Sequence, residues 1–222
     1  MARTKSRFVC QECGYVASSW LGRCPECGGW NTLVEEAEVT AKVSKSYLPA
    51  NNEKLRPRTI ASVAQTKVER LATGIREFDR VLGGGVVPGS LVLLGGTPGI
   101  GKSTILLDAG LRFGQQGIKV LYVSGEESEE QTAMRAVRLG GAQANDNLLI
   151  LTATDLDAIL AQANALKPQL LIIDSIQTMY NPELQTAAGS VGQVRECTAK
   201  LLQFAKSTGI AVLLIGHVTK DG

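Results

Sequence analysis

From about Val68 onward, short and continuously apolar runs alternate with amphipathic stretches. Residues 91–94, 120–123, 148–151, 170–173 and 212–215 are runs of four apolar side chains, with Gly, Asp, Ser or Pro close to their ends. Such runs read as strands buried on both faces. Between them, 104–115, 129–139, 156–166 and 194–207 space their apolar residues as helices do. Strand–helix alternation predicts an α/β domain with a mainly parallel sheet, and strands without polar alternation fit a sheet covered on both sides. Before Val68 the pattern is different. Residues 35–66 lose apolar periodicity, with Glu35, Glu36 and Glu38 followed by Lys42, Lys45, Pro49, Asn51, Asn52 and Pro57. That composition predicts a linker. Ahead of it, 1–34 holds four of the five cysteines. The expected organisation is a small cysteine module over 1–34, a linker over 35–66 and the α/β domain over 67–222.

Composition changes this picture little. The chain has 222 residues, 44% hydrophobic and 20% charged, as in an ordinary soluble domain. Aromatics are only 5%, so Leu, Ile, Val and Ala must fill the core. A net charge of +2 is too small to argue for nucleic acid. Any basic surface is local: 1–30 carries four basic and two acidic side chains, whereas 67–222 carries fourteen and fifteen. Arg3, Lys5 and Arg7 form one candidate patch, with a plain solvated terminus as the alternative. No apolar run of about 7–15 residues follows this basic start, so no secretory signal is read. No run approaches the roughly 18 residues of a membrane span. A cytoplasmic protein with reduced thiols is expected, and there cysteines serve as metal ligands or catalysts rather than disulfides.

The first strand leads into Gly96-Thr97-Pro98-Gly99-Ile100-Gly101-Lys102-Ser103, then Thr104 and a helix. This is a phosphate-binding loop in its required strand–loop–helix context. Gly96, Gly99 and Gly101 let the backbone N–H groups turn inward around phosphate oxygens. The helix adds its N-terminal N–H groups. Lys102 supplies charge for the β- and γ-phosphates, Ser103 a hydroxyl for Mg²⁺, and Thr104 a bond to the α-phosphate.

Ligands of open parallel sheets lie at the carboxyl ends of the strands. Asp174 ends the run 170–173 and suits a Mg²⁺-associated acid, a turn-capping Asp being the alternative. Glu126 and Glu127 follow the run 120–123, and either suits polarisation of an attacking water, or else both merely open the next helix. His217, the only histidine, follows Gly216 at another strand end and suits a sensor of the γ-phosphate.

Cys10-Gln11-Glu12-Cys13 and Cys24-Pro25-Glu26-Cys27 are two Cys-x₂-Cys pairs, each followed by a glycine. Four thiolates in tetrahedral array suit Zn²⁺, in a structural role because no coordination position stays open. Iron on the same four ligands is the alternative. Trp20 and Trp30 are expected to pack over this module, which is too small for a core of its own, with base stacking as the other use. Cys197, within a helical pattern, reads as a small buried hydrophobe.

Together, Cys10-Gln-Glu-Cys13-Gly, Trp20-Leu-Gly-Arg-Cys24-Pro-Glu-Cys27 and Trp30-Asn31-Thr32 resemble the zinc finger of the RadA (Sms) family of bacterial DNA-repair proteins. Thr73-Gly-Ile-Arg-Glu-Phe-Asp79, Gly83-Gly-Gly85, Pro88-Gly89-Ser90, 95–104, 122–128 and Gly216-His217-Val218-Thr219-Lys220 resemble that family's RecA-type ATPase core, in order. The resemblance implies a DNA-dependent ATPase with ATP, Mg²⁺ and Zn²⁺. It further implies single-stranded and branched DNA and a RecA-type recombinase as partners, a hexameric ring, and a part in branch migration of recombination intermediates. It favours Glu126 over Glu127 as the water-activating acid, Asp174 for Mg²⁺ and His217 as sensor. It also places a DNA-facing loop over 178–193, with Arg195 just beyond. The sequence ends at Gly222, before the family's Lys-Asn-Arg-Phe-Gly motif and Lon-protease-like domain, so a fragment of low activity is expected. Two other functions share the phosphate loop: a small-molecule kinase, for which no arginine-rich lid is seen, and a nucleotide-switched zinc-ribbon adaptor.

Overall fold

The computed structural model describes residues 6–37, 57, 59–64, 69–141, 146–184 and 186–217. Arg3, Lys5, much of the expected linker (38–56, 58, 65 and 66), residues 67 and 68, and Val218 to Lys220 lie outside the described residues.

The cysteine module is a three-stranded antiparallel sheet. Strands β1 (Ser6–Cys10), β2 (Val16–Ala17) and β3 (Leu33–Ala37) lie in the order β2-β1-β3, with Phe8 opposite Ala17 and Val9 opposite Val34. Its core consists of Cys10, Ala17, Cys24 and Leu33, flanked by Phe8 and Tyr15. The tryptophans do not cover it. Trp20 and Trp30 are 56% and 71% exposed. Trp30 instead carries the Arg23 guanidinium 5.9 Å from its ring centroid, a cation–π contact worth little at an exposed site.

A short helix α1 (Ile60–Ala64) falls within the stretch expected to be linker, and the larger domain opens with the short helix α2 (Arg76–Val81). It continues with β4 (Leu91–Gly96), α3 (Lys102–Gln115), β5 (Val120–Ser124), α4 (Glu129–Arg138) and β6 (Leu148–Thr152), then α5 (Leu156–Leu166), β7 (Leu170–Asp174), α6 (Val191–Thr208) and β8 (Ala211–His217). The sheet order is β4-β8-β7-β5-β6, and every pairing is parallel. Side chains alternate between its faces. Val120, Tyr122, Leu170, Ile172, Leu213 and Ile215 pack with Leu106, Leu107 and Phe113 of α3. Leu121, Val123, Leu171, Ile173, Val212 and Leu214 pack with Ile159 of α5 and Leu201 and Phe204 of α6. The central strands β5, β7 and β8 are therefore dry on both faces, as unbroken apolar runs require, whereas β4 and β6, at the sheet edges, are only partly covered and leave Leu93 60% exposed.

Local chemistry sets the helix ends. Ser128 and Gln131 form a reciprocal capping box at α4, Asp155 caps α5, and α6 stops at Gly209 with φ of 79°. Helix α2 is too short to show periodicity and is held from outside. Asp79 accepts from the Thr73 N–H at 2.7 Å, the Thr73 hydroxyl at 2.8 Å and the Gly74 N–H at 3.0 Å. Cys197 is fully buried, and burial pushes its thiol up to about 11. No described helix is long and apolar enough to cross a membrane.

Candidate functional site

Because the strands are parallel, their last residues share one edge. Gly96 pairs with His217 across β4 and β8, and Ser124 pairs with Asp174 across β5 and β7. The phosphate loop runs from the end of β4 to the start of α3. Gly99 and Gly101 have φ of 78° and 98°, the left-handed region that glycine enters without strain. A Cβ on either would meet nothing within 4 Å, so these glycines serve backbone conformation and leave the cradle open.

Lys102 is buried at the first turn of α3. Its ammonium donates to the carbonyls of Gly96 at 2.8 Å and Thr97 at 2.9 Å and lies 3.3 Å from His217 Nδ1. Two of those partners are loop carbonyls, so the charge is held inside the cradle. Ser103 donates to Asp174 Oδ1 at 3.0 Å, which brings the hydroxyl and carboxylate proposed for Mg²⁺ together. Hard oxygen donors of this kind fit that ion. Thr104 and Ile100 are exposed, as are Thr97 and Pro98.

Glu126 and Glu127 have different surroundings. Glu126 accepts from the Ser175 hydroxyl at 2.8 Å and lies 3.7 Å from His217 Nε2. Glu127 is paired with Arg135 of α4, and its backbone exchanges hydrogen bonds with the Ser124 hydroxyl. Glu126 thus faces the edge that carries Asp174 and His217, while Glu127 is committed to α4. Gly125 permits this tight turn: a Cβ there would fall 2.0 Å from Thr178 Oγ1 and 2.8 Å from Met179 Cε.

Three contributors escape sequence reasoning. Ser175 holds Glu126. Gln177 donates to the His217 carbonyl at 3.4 Å. Tyr122, fully buried, donates to Asp174 Oδ2 at 2.5 Å. Burial, and then the adjacent Asp174 charge, push its phenol above the usual range, so it remains a donor. The sequence signal for Tyr122 is one hydroxyl within the apolar run 120–123.

The segment 178–193 is tied down at its root. Gln193 accepts from the Asn181 N–H at 2.7 Å and donates to the carbonyls of Asn181 at 3.2 Å and Thr186 at 2.9 Å. Lys200 adds contacts to Asn181 and Glu183 at 3.1 Å. Arg195 is exposed.

In the ribbon, the ligand atoms of Cys10, Cys13, Cys24 and Cys27 all lie within 4.8 Å of one another. Each pair sits on a matching turn: Gly14 N–H donates to the Cys10 carbonyl and Gly28 N–H to the Cys24 carbonyl, both at 2.9 Å, with φ of 77° and 74° at the glycines. Burial raises the Cys10 thiol, but the Thr32 hydroxyl and the N–H groups of Cys13 and Glu12 outweigh it and bring it down to about 6. Cys27 moves the other way. Against the Gly29 N–H, burial and three neighbouring sulfurs push it up to about 12. Four sulfurs this close resist carrying four negative charges without a cation, and the donor set fits a soft tetrahedral metal.

Comparison with known proteins agrees with both halves. Residues 8–35 match a family described as a rubredoxin metal binding domain, and residues 54–222 match the AAA domain family. A protein of Halalkalibacterium halodurans named DNA repair protein RadA is 50% identical over 223 residues, covering 100% of this chain and 48% of its own length. Proteins of the same name from Bacillus subtilis and Listeria monocytogenes are each 47% identical, again over 100% of this chain and 48% of theirs. The chain thus spans about half the length of the curated relatives it matches. With its phosphate loop on a parallel sheet and a four-cysteine ribbon ahead of it, the chain belongs to the AAA domain family and is similar along its whole length to bacterial RadA DNA-repair proteins.

Proposed function

We propose that this chain is the ATPase portion of a DNA-dependent motor of recombinational DNA repair, acting in the processing and branch migration of recombination intermediates. One observation carries the reading: Lys102, Ser103, Asp174, Glu126 and His217 converge at one sheet edge beside an open phosphate loop. ATP is the substrate. Its β- and γ-phosphates lie against the loop N–H groups, and Lys102 exchanges its carbonyl partners for phosphate oxygens. Mg²⁺, held by Ser103 and Asp174, would offset negative charge on those oxygens. Glu126, oriented by Ser175, takes a proton from a water whose oxygen bonds to the γ-phosphorus. The bond to the bridging oxygen breaks and ADP leaves. His217 touches both Lys102 and Glu126, a position suited to relaying loss of the γ-phosphate. Asp174 and Ser103 act on the metal rather than on the water.

The ribbon takes Zn²⁺ on its four cysteines as a structural ion. By similarity to the RadA proteins, single-stranded and branched DNA, a RecA-type recombinase and a homo-hexameric ring are proposed as partners and state, with the cytoplasm as location. The segment 178–193 is the proposed DNA-facing loop.

The test is ATP turnover by the protein at its natural length, with and without single-stranded DNA, beside Lys102→Ala. We expect DNA to stimulate turnover and the variant to lose at least about 100-fold. Turnover that is absent, or indifferent to DNA, would shift the function to a nucleotide-switched adaptor.

A further inference from the structure

We infer that Tyr122 is a positioning residue that holds the Asp174 carboxylate in the orientation needed for Mg²⁺. This rests on the nucleotide-site reading above and adds a residue to it. Tyr122 lies on β5, on the sheet face packed against α3, and is fully buried. Asp174 ends β7, the neighbouring strand. The two carboxylate oxygens have separate donors. Oδ2 accepts from the Tyr122 hydroxyl at 2.5 Å, and Oδ1 accepts from Ser103 at 3.0 Å.

That division matters because a carboxylate turns freely about its last bond unless something holds it. Tyr122 is held by its strand and by the core around it, so its hydroxyl position is set before any ligand arrives. With Oδ2 engaged inside the core, Oδ1 is left toward Ser103 and the phosphate loop, where the ion must sit. Partners of this kind behind a metal ligand commonly change metal affinity by about 10–100-fold when removed. Phenylalanine at 122 keeps the ring and deletes only the donor, leaving Oδ2 without its partner and the carboxylate free to turn.

The experiment titrates Mg²⁺ into the natural-length protein with a fluorescent, non-hydrolysable ATP analogue and reads binding. Wild type is compared with Tyr122→Phe, and thermal melting verifies that the variant is folded. We expect the Mg²⁺ midpoint to rise about 10-fold in Tyr122→Phe. Analogue binding without Mg²⁺, which depends on Lys102 and the loop N–H groups, should stay within about twofold of wild type. A merely structural role would lower the melting temperature and leave the midpoint where it was, and that result overturns the inference. Should Tyr122→Phe fail to fold, 4-fluorophenylalanine at 122 fills the space of the hydroxyl without offering a donor to Oδ2. We expect the Mg²⁺ midpoint to rise as for phenylalanine, and an unchanged midpoint overturns the inference. Absence of Mg²⁺-dependent binding in wild type would overturn the nucleotide-site reading itself, a failure distinct from one confined to the variant.

Discussion

The ribbon and the parallel sheet reach a folded state by opposite means. The sheet buries Leu170, Leu171, Ile172, Ile173, Val212, Leu213 and Leu214 almost completely between two helical layers. Its stability is spread over two apolar layers, and its site is added at the strand ends. Among the described residues, the ribbon's core cluster holds four buried side chains, and two of them are cysteines of the metal site. There the site and the core are the same atoms. A module of that size has too little apolar surface to hold itself together, so its fold and its metal must come and go together. A polar site at the edge of a large core can be altered without unfolding. A polar site at the centre of a tiny one cannot.

Several perturbations would break or sharpen this contrast. The largest effect should follow from metal removal. Structural zinc contributes about 10–16 kcal/mol in small finger domains. A strong chelator, or Cys24→Ser, should therefore abolish hydrogen-exchange protection across β1–β3 while protection in β5, β7 and β8 persists. Loss of protection in both regions would show that the two folds are coupled. Next, Leu171→Ala should destabilise the sheet domain by about 2–5 kcal/mol in denaturant unfolding and leave ribbon metal content unchanged. A smaller effect is expected at Gly125. The Cβ of Gly125→Ala collides with Thr178 and Met179, so about 1–3 kcal/mol is lost; turnover should fall as well, because the same turn carries Glu126. Full activity in that variant would show that the turn can relax without moving the acid. Smallest of all, Trp30→Ala should change ribbon stability by no more than about 0.5 kcal/mol, since the ring is 71% exposed. A larger loss, by thermal melting of the metal-loaded protein, would mean that the ring supports the module after all.

The same contrast governs how far the sequence could be read. Each of the five apolar runs lies within a strand of the sheet, although only those of β5, β7 and β8 are buried on both faces, the runs in β4 and β6 lying at partly exposed edges. The phosphate loop and the cysteine pairs were visible because their chemistry needs residues close together in sequence. Other features depend on distant partners. Helix α2 has six residues and is held by the Asp79 bonds to Thr73 and Gly74, so no periodicity betrays it. Tyr122 looks like one more core residue until β7 brings Asp174 beside it, 52 positions away in the chain. The same applies to Ser175 and Glu126, separated by 49 positions. Size alone predicts burial of the tryptophans, but the core cluster of the ribbon is Cys10, Ala17, Cys24 and Leu33, and both indoles lie exposed outside it. Of the two adjacent acids, spacing alone could not choose. Arg135, eight positions on in the chain and about two turns into α4, occupies Glu127 and leaves Glu126 toward the site.

The most direct test of the central claim, that the sheet edge hydrolyses ATP through Glu126, is turnover by natural-length Glu126→Gln in the presence of Mg²⁺ and single-stranded DNA. We expect the variant to bind the fluorescent ATP analogue as wild type does and to turn ATP over at least about 100-fold more slowly. Turnover near the wild-type rate would contradict the claim and return Glu126 to the role of a surface carboxylate hydrogen-bonded to Ser175.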